Sequence, residues 1–170
     1  PRSGSGNQHG LDRRSILMEV AVKQSLFYPL IVGILLGWLQ TGLFFQFSFS
    51  LSSGFTTYLL ITSCWLAGSA LGVSYVWQMR ISLTSLLIVM VGVYLFMGVF
   101  LKLLPFHSEA WPIYGILILC SGLYPGVFFA RLSSTYTAQR LFLWENNGLI
   151  IGLVLSTILF MIFGRSILVW

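Results

Sequence analysis

Apolar residues run through this chain in five stretches, each close to the ~20 residues that a helix needs to cross a bilayer. They cover residues 26–48, 54–77, 81–104, 110–132 and 146–166, and polar residues gather between them. Three of the connections, 49–53, 78–80 and 105–109, are short, and 133–145 is longer. Connections this brief make neighbouring helices antiparallel and leave no room for a second domain. The pattern predicts an all-α integral membrane bundle of five transmembrane helices over residues 26–170. A Gly- and Ser-rich polar tail over 1–25 is expected to be partly disordered. It carries no signal-peptide pattern ahead of the first span.

A second pattern lies inside the first. Four of the five spans hold two glycines four residues apart: Gly33 and Gly37, Gly68 and Gly72, Gly122 and Gly126, Gly148 and Gly152. Residues four apart share a helix face, and a face without side chains lets two backbones approach in lipid, where hydrophobic burial gives helices no reason to associate. With 17 glycines in 170 positions, about two such pairs arise by chance. Gly6/Gly10 in the tail is taken as one of these. Spans one and five carry their pairs early and spans two and four carry theirs late, so antiparallel packing puts all four at one depth. The third span, with Gly92 and Gly98 six apart, lacks the pattern and is expected at the periphery.

Composition agrees with the periodicity. A mean hydropathy of +0.91, with 57% hydrophobic and 8% charged residues, lies far from soluble domains, where about 25% of residues are charged. The pI near 9.6 does not indicate nucleic acid, because the nine Lys and Arg form no basic stripe interleaved with aromatic platforms. They mark topology instead. Arg2, Arg13, Arg14, Lys23, Arg80, Arg131 and Arg140 fall on one side and only Lys102 and Arg165 on the other. The positive-inside rule then places the N-terminus in the cytoplasm and the C-terminus outside, with a bacterial inner membrane as the expected location. The glycine pairs fall in the cytoplasmic half.

Polar residues on these faces have two readings. Gln40 continues the Gly33/Gly37 stripe, and its amide is expected to bond a neighbouring helix, which contributes on the order of 1 kcal/mol. Alternatively, Gln40, Thr41, Thr57, Thr62 and Tyr94 line an outward-facing cavity for a small solute or lipid. Cys64 and Cys120 sit mid-span and read as small packed hydrophobes. Pro125 lacks the N–H that would bond the Ser121 carbonyl, so a kink is expected there. A candidate polar site gathers Arg131, Arg140, Glu145, Asn146 and Asn147 near that kink. The blander reading of these residues is a helix start, with asparagine capping, a carboxylate at the positive end of the macrodipole and an Arg140–Glu145 ion pair.

The AGSALG of Ala67–Gly72, the GLYPGVFFARL of Gly122–Leu132 and the RLFLWENNGLIIGL of Arg140–Leu153 resemble the membrane portion of spermidine-synthase-like fused proteins. The similarity runs over residues 45–164. In that family, aminopropyl transfer belongs to a soluble Rossmann-like domain. These 170 residues hold no glycine-rich strand-turn-helix, and only Asp12, Glu19, Glu109 and Glu145 as acids. The resemblance therefore implies a membrane scaffold whose catalytic portion is missing, lost or replaced by partner subunits.

The remaining inventory offers little chemistry. His9 in the tail and His107 in a loop give no pair of axial haem ligands within helices. No HExxH motif, carboxylate cluster, Ser/His/Asp set or Walker loop occurs. No cofactor is expected from the chain's own residues, although a lipid, quinone or carotenoid can fill an aromatic groove without leaving a motif. The expected role is a non-catalytic membrane subunit or anchor that binds lipids and other membrane subunits. The alternatives are a transporter and the membrane domain of a spermidine-synthase-like enzyme.

Overall fold

The structure is a computed structural model that describes residues 27–51, 54–79, 81–103 and 108–164. The tail with Gly6, Gly10 and His9, and also Arg80, His107 and Arg165, lie outside the described residues. Five long helices are present: α1 (Phe27–Ser50), α2 (Phe55–Ser74), α3 (Leu83–Leu103), α4 (Trp111–Leu132) and α5 (Ala138–Phe163). All five are long and apolar enough to cross a membrane. The chain is an all-α integral membrane protein.

Local chemistry sets several helix ends. The Ser82 hydroxyl accepts the Ser85 N–H at 3.0 Å, capping the first turn of α3. Pro112 stands in the first turn of α4, where its missing N–H costs nothing. Gly164 closes α5 at a φ of 65°, a left-handed conformation that most side chains resist. At the end where α1 begins, called here the near end, the Arg131 guanidinium donates to the Met79 carbonyl at 2.7 Å. That bond ties the last turn of α4 to the α2–α3 connection.

Two kinds of interface build the bundle. In the first, glycine faces glycine-lined backbone. Gly33 faces the Glu145 carbonyl and Gly37 that of Leu149, while Gly148 and Gly152 face the carbonyls of Leu30 and Ile34. Partner numbers rise together, so α1 and α5 run parallel. The same arithmetic joins α2 to α4: Gly68 and Gly72 face the Leu119 and Leu123 carbonyls, and Gly122 and Gly126 face those of Trp65 and Ser69. A Cβ at any of the eight positions would lie closer than 3.0 Å to a carbonyl oxygen. All eight glycines are therefore used inside the chain, in two parallel pairs that run in opposite directions.

The second interface is a core of large side chains between the pairs. Leu36, Leu43 and Phe47 of α1, Met90, Met97 and Leu101 of α3, and Tyr114, Ile118 and Phe128 of α4 are all almost fully buried there. Phe47 and Tyr114 meet edge to face at 5.2 Å, a favourable arrangement of ring quadrupoles. Thus α1 and α4 each use one face for glycine contact and another for the core. Over their most apolar 18 residues, half of each is buried, against 33% of α3 and 17% of α5. The peripheral position expected for α3 belongs more fully to α5. The glycine stripe of α5 is narrow and touches α1, whereas α3 lays a stripe of large residues against the core.

Pro125 sits inside α4, and the helix runs on through it to Leu132. Next to it the Ser69 hydroxyl reaches two carbonyls at 3.1 Å, that of Trp65 in its own helix and that of Gly122 in α4. The bond to Gly122 ties α2 to α4 one residue away from the Ser121 carbonyl that Pro125 leaves without its helix donor. Ser69→Ala should therefore cost about 1 kcal/mol in reversible unfolding in detergent. An unchanged midpoint would show that the bond has no net value.

Candidate functional site

The five residues of the expected polar site occupy different surroundings. Arg131 is bonded to Met79, Arg140 and Asn147 are exposed, and Asn146 is half-buried. Glu145 is buried at 4% exposure, on the side of α5 that faces α1. Among the described residues no cation pairs with it. Residues 140 and 145 are five apart, about 140° around a helix, so they point to different sides.

The helix-start reading of this segment also changes. The N-cap of α5 is Thr137 and the helix begins at Ala138, so residues 144–148 lie about 10 Å along it. The apolar stretch begins only at 146, whereas the helix begins eight residues earlier. A transmembrane helix can nonetheless carry polar residues over its first turns, where they reach the headgroups. Glu145 is consequently too far from the N-terminus to feel the macrodipole strongly.

Polar residues of the stripes divide between two places. Gln46, one and a half turns beyond Gln40, supplies the amide that crosses between helices: it bonds the Tyr94 hydroxyl of α3 and lies against Gly98. The Tyr94 ring in turn rests on Gly42, where a Cβ would overlap it. Thr57 is buried at 1% exposure. Neither glycine belongs to a four-spaced pair, and Gly42 lies 52 residues from Tyr94, so nothing in the sequence joins them.

Gln40, Thr41 and Thr62 do line one cavity, of about 430 Å³, between α1, α2 and α5. Its other walls include Phe44, Phe45 and Tyr58. The expected cavity thus keeps three of its five residues, while Thr57 and Tyr94 belong to the packed interior. α2 and α5 stand on either side of α1, which forms the floor.

Cys64 and Cys120 are free thiols, both half-buried. Cys64 Sγ packs 3.5 Å from where a Cβ on Gly115 would stand, consistent with its reading as a small hydrophobe. No group of three metal-ligating side chains occurs among the described residues.

The chain is thus a five-helix membrane bundle with a lateral groove between α1, α2 and α5. No protein-family model, curated protein or solved structure matches it.

Proposed function

We propose that this chain is a non-catalytic membrane subunit or anchor within a larger membrane assembly. The observation that supports this best is the unequal use of helix faces. α1 and α4 use two faces each inside the chain, whereas α5 is held chiefly through α1 and leaves Ile151, Val154, Ile158 and Ile162 exposed on its outer side. A helix fixed in register by glycine contacts, with a free apolar face, is suited to seat a partner helix. The resemblance of 67–72, 122–132 and 140–153 to spermidine-synthase-like membrane portions supports the same reading, with the catalytic portion on another chain. The seven-to-two distribution of basic residues supports a cytoplasmic N-terminus in a bacterial inner membrane.

Two measurements test this. Purification in mild detergent should recover other membrane proteins in fixed stoichiometry, and a photo-crosslinking residue at position 158 should join α5 to one of them. Recovery of the chain alone, with crosslinks to lipid only, would rule the reading out. The transporter alternative is favoured by the groove at Gln40. Its test is solute uptake into liposomes containing this chain alone.

A further inference from the structure

The groove between α1, α2 and α5 contains a polar group at a depth where hydrocarbon cannot satisfy it. Gln40 lies 13 residues into α1 and 10 from its end, so its amide stands about 20 Å from one helix end and about 15 Å from the other. That is the middle of a bilayer core about 30 Å thick. Thr41 and Thr157 turn their hydroxyls onto carbonyls of their own helices, Gly37 at 2.7 Å and Leu153 at 2.8 Å. The Gln40 amide does not share this solution, and among the described residues nothing bonds it. Tyr58 and Thr62 line the groove from α2, and their hydroxyls have no hydrogen-bond partner among the described residues.

We propose that this groove binds a lipid-soluble quinone-type molecule: a planar conjugated ring bearing carbonyls, attached to an apolar tail. Size, depth and donor balance all favour such an occupant. A volume of about 430 Å³ falls within the ~300–1,000 Å³ of small-molecule pockets. Phospholipid carbonyls stay near the interface, about 15 Å from the bilayer centre, and acyl chains offer no hydrogen bond. The groups that can give a proton, the Gln40 amide and the Tyr58 and Thr62 hydroxyls, stand on two facing helices and suit carbonyl oxygens on a ring held between them. Phe44, Phe45 and Tyr58 supply ring faces and edges for stacking. This site does not depend on the assembly reading, since all of its walls belong to this chain.

The test is equilibrium binding of radiolabelled decylubiquinone to the full chain in detergent, with dodecylbenzene as a competitor that has an apolar body but no oxygen. Saturable binding of one molecule per chain is expected, weakened at least tenfold by Gln40→Leu and not displaced by dodecylbenzene. Leu153→Trp, which fills the groove and leaves the amide intact, should abolish binding. It keeps the test decisive if Gln40→Leu does not fold. Absence of saturable binding, equal affinity in either folded variant, or displacement by dodecylbenzene would overturn the proposal. Mass spectrometry of lipids retained by the purified chain separates the sources: a retained quinone supports the site, and phospholipid alone contradicts it.

Discussion

Gly37→Ile and Gly126→Ile should each destabilise the bundle by about 3 kcal/mol or more, the upper end of the range for overpacking a filled interior. A Cβ at position 37 meets the Leu149 carbonyl and one at 126 meets the Ser69 carbonyl. Neither neighbour is a side chain that can rotate away. The two helices must separate, which removes close backbone contact along a whole interface in a medium where little else draws helices together. The losses should differ in kind. At 37 the variant should release α5 from α1, while at 126 it should loosen α2 from α4. Gly92 provides the control, because nothing lies within 4 Å of a Cβ there. Gly92→Ala should be neutral or gain up to about 1 kcal/mol of helix propensity. The measurement is reversible unfolding in detergent, with site-specific labels on α5 and α2 reporting which helix leaves first. No loss at 37 and 126, or a gain like that at 92, would mean that the close backbone contacts do not hold the bundle together.

Glu145→Met should raise stability by about 1–3 kcal/mol. The carboxyl group is buried at 4% exposure and no cation faces it among the described residues, so its burial brings a desolvation cost without an ion pair to offset it. Methionine has a similar reach and adapts to irregular space, and its neighbours on the same stripe, Leu141 and Gly148, are buried and apolar. If the unfolding midpoint instead falls, the carboxyl group is bonded in the native protein and the polar segment has a role beyond packing. Such a result would support the polar site expected around Glu145.

The five helices were legible because a span of about twenty apolar residues has one stable solution in lipid. Their faces were only partly legible. Four-spaced glycines show that a helix has a bare side, and Gly33/Gly37 and Gly148/Gly152 do lie on such sides. They cannot say which bare side meets which, since any two match by composition. The pairing of α1 with α5, across more than a hundred residues, comes from three-dimensional register alone. Gln40 and Gln46 show the same limit at one residue's scale. Both are amides in the second half of α1, but one opens on a groove and the other crosses to Tyr94. Which does which depends on where α3 packs, and α3 carries no glycine pair to announce its position. The start of α5 was misplaced for a different reason. Gln139, Arg140, Glu145, Asn146 and Asn147 interrupt hydropathy without interrupting the helix, because helix formation needs only backbone bonds, whereas hydropathy reads side chains.

The central claim is that the four glycine pairs are used within one chain, as two parallel helix pairs. Phe45 and Phe160 lie farther along the α1/α5 contact, their rings stacked at 4.4 Å. With Cys64 and Cys120 replaced by alanine, Phe45→Cys together with Phe160→Cys should be joined by a short bifunctional thiol reagent, because rings stacked between two helices hold the backbones beyond direct disulfide reach. The account predicts a cross-linked monomer that migrates as a single chain. A cross-linked dimer, or no cross-link in a folded protein, would contradict it, because α5 would then pack against another chain or another face.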